Sequence, residues 1–150
     1  MTPNLLNSLA LQFIGASIAA ASNTDADSVI IDMAGYEGVF VMAHVTDSVA
    51  TGIASLTVQQ SATNVGGDMA DIAGATASLT SAVNDDLNGQ MIAIDVHGPR
   101  ERYVRFNRSS DVANVAFGDL VVVRYGARKL PIERPSTFGV EVAVSSPPSV

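Results

Sequence analysis

The sequence predicts an all-β domain, an antiparallel β-sandwich or jelly-roll-like barrel carrying an N-terminal arm. Three observations lead there. From Asp25 onward, short runs of strand length recur between clusters of Gly, Pro, Asn and Asp, the pattern of many short strands joined by turns. There is no alternation of strand and helix patterns and no fixed-period repeat. Of the 150 residues 47% are apolar and only 15% charged. That composition belongs to a packed chain, because disorder needs low hydrophobicity and high charge.

The elements follow in order. Leu5 to Ala21 (LLNSLALQFIGASIAAA) is apolar and small-residue rich, and it reads as an arm over residues 1–24. Leu5, Leu6, Leu9, Phe13 and Ile14 form one face of a short helix, or Leu9 to Ser17 lie extended on a neighbouring surface. No Lys or Arg precedes Arg100, so this is not a secretory signal with a basic n-region. Asn7, Gln12 and Ser17 interrupt it too often for a spanning helix, and no membrane association is expected. Within the body, residues 25–135, Ser28 to Met33 opens the first strand and Ala34 to Gly38 turns the chain. Val39 to Val45 (VFVMAHV) is continuously apolar, as in a strand covered on both faces. Ile53 to Gln60 alternates as a half-buried strand does, with Ile53, Ser55, Thr57 and Gln59 on one side and Ala54, Leu56, Val58 and Gln60 on the other. In Arg102 to Asn107, Tyr103 and Arg105 share one face and Arg102, Val104 and Phe106 the other. Ser61 to Gly74 reads as a loop with a short helical stretch around Asp68 to Ala73, and Thr76 to Thr80 as a weak strand. Asn88-Gly89 ends a polar turn. Gln90 to Val96, Arg102 to Asn107, Val112 to Phe117 and Asp119 to Tyr125 complete seven or eight strands, the last a second two-faced apolar run. Phe138 to Val144 is one more strand, or an arm pairing with a neighbour, within a C-terminal segment over 136–150.

Charge is unevenly distributed. All eight basic residues lie between positions 100 and 134, while residues 1–99 carry ten acids and no base. Two readings stand side by side. Either Arg100, Arg102, Arg105, Arg108, Arg124, Arg128 and Arg134 grip a partner or another copy, or folding interleaves the halves and the arginines meet acids internally. Seven arginines to one lysine favour contact, since the guanidinium fork holds carboxylates bidentately and is enriched where proteins meet.

Catalytic patterns are not found. With no cysteine, thiolate zinc, cysteine nucleophiles and disulfides are out. His44 and His97 are too few and too far apart in sequence to predict a metal site. The pairs Asp25/Asp27, Asp68/Asp71 and Asp85/Asp86 lack EF-hand spacing. Asp32 and Asp95 are the only carboxylates in strand-like apolar surroundings, and a strand-borne Asp facing solvent, or a partner arginine, explains them more simply than a glycosidase pair. Neither a nucleophile elbow nor a phosphate-binding glycine loop occurs. No enzyme and no cofactor is expected. Arg100 to Arg108 (RERYVRFNR) interleaves cations with Tyr103 and Phe106, yet Glu101, the acidic first two-thirds and the near absence of lysine argue against nucleic acid.

Ser28-Val-Ile-Ile-Asp32-Met-Ala-Gly-Tyr-Glu37, Val58-Gln-Gln-Ser61, Asp71-Ile-Ala-Gly74-Ala and Arg102-Tyr-Val-Arg-Phe106 stand in an order that resembles small virion proteins of tailed bacteriophages, the head decoration (cement) and minor capsid proteins. The resemblance covers roughly residues 25–130. It implies a β-rich fold on the outside of the capsid shell, assembled in the host cytoplasm. It also implies the major capsid protein as partner and a homo-oligomer such as a trimer. Leu5, Leu6, Leu9, Phe13 and the seven arginines are then the expected contact residues. A head–tail joining or tail component, and a carbohydrate-binding module using Tyr36, Tyr103 or Tyr125, are the alternatives.

Overall fold

The computed structural model describes residues 5–130 together with 132, 133, 135, 139, 140 and 142. Eleven strands appear among them: β1 (Ala10–Gly15), β2 (Ile18–Ala21), β3 (Asp25–Asp27), β4 (Ile31–Asp32), β5 (Gly38–Ser48), β6 (Ile53–Ser61), β7 (Ala70–Thr80), β8 (Met91–His97), β9 (Tyr103–Asp111), β10 (Val115–Phe117) and β11 (Leu120–Tyr125). All pairings are antiparallel.

Three of the strands are interrupted rather than separate. β1 pairs with β11 and β2 with β10, while β10 and β11 both lie against β5. β3 and β4 likewise share β9. Merging each pair leaves eight strands in two sheets, ordered 1-8-3-6 and 2-7-4-5, which is the double Greek key of a jelly roll. The first sheet runs β1/β2, β11/β10, β5, β8. The second runs β3/β4, β9, β6, β7.

Period-2 alternation builds the core. Val39, Val41, Ala43 and Val45 of β5 point inward with Val115, Phe117, Leu120 and Val122. They meet Ala54, Leu56 and Val58 of β6 and Val104 and Phe106 of β9, one side of the alternation in each of those strands.

Several sequence expectations are corrected. Of the two forms open for the N-terminal segment, the extended one holds and the helical one does not, and it lies on its own sheet rather than on a neighbour. Leu5–Asn7 is a single 3-10 turn, and from Ala10 the chain is the edge of its own first sheet. Branched and small residues such as Ile14, Ile18 and Ala19 to Ala21 suit a pleated edge better than an isolated short helix, which is marginal without packing. The helical stretch around Asp68 to Ala73 is instead a 3-10 turn over Gly66–Asp68 followed by β7, which starts at Ala70. Phe138, Glu141, Ala143 and Val144 of the expected last strand lie outside the described residues, as does Arg134.

Candidate functional site

The two outer faces of the sandwich differ in chemistry. On the second sheet, outward positions form polar ladders. Ser55 pairs with Ser78 (2.8 Å), Thr57 with Thr76 (3.1 Å) and Gln59 with Asp71 (2.8 Å). Arg105 donates Nε and Nη2 to Gln59 Oε1 (2.9 and 2.6 Å) and lies 3.1 Å from Asp27. Asn107 bridges Asp25 and Asp27. This face is satisfied by its own side chains.

On the first sheet the outward residues are apolar. Register places Phe13, Val121, Met42 and Ala93 side by side across four strands, with Leu11, Val123, Phe40 and Asp95 in the adjoining row. His44 pairs with Met91 at the other end. Phe13, Met42, Val121 and Met91 are 42%, 44%, 42% and 63% exposed. Met42, Val121 and Met91 line a shallow trough of about 390 Å³ running from Leu11 to Met91, with Asp119 at its rim. Antiparallel sheets normally keep the uncovered face polar. Here the core sits behind β5 and β11 while their apolar front meets solvent.

The polar rim is held in place. Tyr125 Oη donates to Asp95 Oδ1 at 2.5 Å, and His97 stacks on the Tyr125 ring. Gly38 is required beneath it, because a Cβ there would meet the Tyr125 ring. Likewise, a Cβ on Gly118 would meet the imidazole of His44. Partial burial, then the Asp95 carboxylate, push the Tyr125 phenol up to about 12. The raised value favours the neutral phenol in the folded state. Its stabilising contribution is therefore complete below the ordinary pKa near 10 and lost as pH rises toward 12. Titration followed at 295 nm should show one of the three tyrosines ionising well after the others, and Asp95→Asn should move it down.

The arginines divide. Arg108, expected at an interface, is 3% exposed and belongs to the interior. Its Nη1 donates to Gly118 O (2.6 Å) and its Nη2 to Ala16 O (2.8 Å). Both carbonyls sit where a strand is interrupted, so one guanidinium ties β1/β2 to β10/β11. Burial lowers its pKa. Arg124 donates to Asp32 O (2.8 Å) and Gln12 Oε1 (3.3 Å), and its guanidinium lies 4.7 Å from the Tyr36 ring centroid. Arg102 forms a bidentate pair with Asp32 (2.9 and 2.8 Å). That hydrogen-bonded pair holds the Asp32 carboxyl below its ordinary range. Internal pairing thus accounts for Arg102, Arg105, Arg108 and Arg124. Arg100 and Arg128 face solvent at the end of the sandwich where β5 begins. Of the apolar candidates, Phe13 joins the apolar face, while Leu5 and Leu6 lie in the turn before β1 and Leu9 falls between that turn and the strand.

Sequence reasoning missed Leu11, Phe40, Met42, Met91, Val121 and Val123. The signal was present in the two runs that are apolar on both faces. Among the described residues no three His, Asp or Glu side chains are grouped to hold a metal ion, and no helix is long and apolar enough to cross a membrane.

Fold and surface together define a jelly-roll β-sandwich with one solvated sheet face and one apolar one. No family profile matches the sequence, nor does any curated protein. Among solved structures the chain is similar to the PBSX exported protein XepA, with a TM-score of 0.53 and 16% identity over 97% of this chain. It spans 46% of the length of XepA. The likeness is one of fold.

Proposed function

We propose that this chain is a structural virion protein of a tailed phage, a decoration protein that docks on the outside of the head shell through the apolar face of its first sheet. The observation that carries the reading is the row Phe13, Val121, Met42 and Ala93, with Leu11, Val123 and Phe40 beside it, exposed on a β-sheet. A rigid sandwich with one apolar side suits a clamp across neighbouring shell subunits, and in this reading it performs no reaction. The fold likeness to XepA, a phage-derived protein, supports a phage setting, although a fold alone does not fix a function.

Size argues for many copies. Four strands about 4.8 Å apart and three to four residue pairs along them give a face of roughly 400 Å². Docked on a partner it buries about 800 Å² in total, below the 1,200–2,000 Å² of a standard interface. One contact is therefore weak. Symmetric clusters, a trimer in this reading, gain avidity on a repeating lattice of the major capsid protein.

The test is co-sedimentation of the purified chain with DNA-free head shells of the phage that encodes it. Saturation at a copy number matching the shell lattice is expected. No pelleting with shells would refute docking, and saturation at a handful of copies would point to a vertex component instead.

A further inference from the structure

A second feature, independent of the apolar face, lies at the end of the sandwich where β5 begins. Three connections meet there: residues 33–37 between β4 and β5, 98–102 between β8 and β9, and 126–129 after β11. Backbone hydrogen bonds stitch them together, with Met33 N donating to Arg102 O (2.8 Å), Gly98 N to Glu37 O (2.7 Å) and Arg128 N to Gly35 O (2.9 Å). They enclose an open hollow of about 530 Å³ adjoining a smaller one of about 290 Å³.

Tyr36 borders both hollows. Arg124, over one face of its ring, lines neither, and is itself fixed by Asp32 and Gln12. The ring is thus held from behind before any ligand arrives. Around it stand Glu37, Arg100, Glu101 and Arg128, none of whose side chains makes a hydrogen bond or ion pair within the described residues. Two guanidinium groups supply only donors and two carboxylates only acceptors. Their charges cancel, and Arg102, which also lines the hollow, is neutralised by its pair with Asp32, so the hollow favours neither an anion nor a cation. A sugar hydroxyl both donates and accepts, and the C–H face of a hexose is apolar enough to lie on an aromatic ring.

We infer that this hollow is a binding site for a neutral saccharide, stacked on Tyr36 and hydrogen-bonded by Arg100, Arg128, Glu37 and Glu101. A virion protein so equipped would place a glycan-binding spot at the end of the sandwich, away from the centre of its apolar face.

A printed glycan array carrying neutral and acidic oligosaccharides tests it, followed by calorimetry on any neutral hit. Wild type should retain neutral hexose-containing glycans. Tyr36→Ala and, separately, Arg128→Ala should each weaken binding about tenfold or more, whereas Tyr36→Phe should retain it. Arg128 is exposed, so its variant reads the site even if Tyr36→Ala melts early. Met42→Asp/Val121→Asp should bind glycan like wild type while losing shells, which separates this site from the docking face. An array without hits, binding indifferent to Arg128→Ala, or retention of acidic glycans only would overturn the assignment.

Discussion

Arg108→Met should destabilise the fold by about 2–4 kcal/mol, because the buried Gly118 carbonyl and the more exposed Ala16 carbonyl lose a charged donor at once. Gly118 O and Ala16 O each accept from this guanidinium at under 3 Å, at the two breaks where neither strand's ladder can serve them. The opposing effect is real. Burial lowers the Arg108 pKa and its Nε has no hydrogen-bond partner among the described residues, so removing the charge recovers some desolvation cost. The carbonyls decide the sign, since an unsatisfied buried acceptor costs about 1–3 kcal/mol on its own and methionine offers no donor. For a domain of this size the loss amounts to roughly 10 °C in melting temperature. Arg108→Lys, which keeps the charge but reaches only one carbonyl well, should fall between. Differential scanning calorimetry of the three proteins measures it. A methionine variant as stable as wild type would mean the guanidinium contributes no net stability.

Met42→Asp/Val121→Asp should abolish shell docking while leaving the fold intact. Both side chains are over two-fifths exposed on the outer face and register as neighbours, so in the free protein their replacements remain hydrated. In the docked state two carboxylates would be buried without partners, each costing about 2 kcal/mol or more. Affinity then falls by roughly three orders of magnitude. Co-sedimentation reads the loss, and a melting temperature within a few degrees of wild type shows that the body is unharmed. Unaltered docking would place the contact elsewhere and remove the proposed role of this face. Arg102→Glu/Arg105→Glu is a poor probe by comparison, because it breaks the internal pairs with Asp32, Gln59 and Asp27.

Much of the fold was legible because strands announce themselves locally. Ala54, Leu56 and Val58 share one parity, as do Val104 and Phe106, and in the structure those sides face inward. Arg108 shares the parity of Val104 and Phe106, so its burial was readable in principle. What misled was residue type, since arginine is almost never fully buried unless paired. The apolar face was half legible. Val39 to Val45 and Asp119 to Tyr125 announced two covered faces, but the described residues cover only one. The N-terminal strand was the harder case. Leu9 to Gly15 fits a helical face as well as an extended one, and its pairing partner lies more than a hundred residues away on β11. Such pairing leaves no trace in a local window.

The adjacency of β1 and β11 also sets a timetable for biogenesis. A ribosome delivers over a hundred residues between the earliest strand and its partner, so β1 cannot join the first sheet until β11 has been made. Until then β5, whose Val39 to Val45 stretch is largely apolar, waits with no neighbour on its β11 side. The nascent polypeptide is therefore a natural client for chaperones, and slow synthesis offers it little protection.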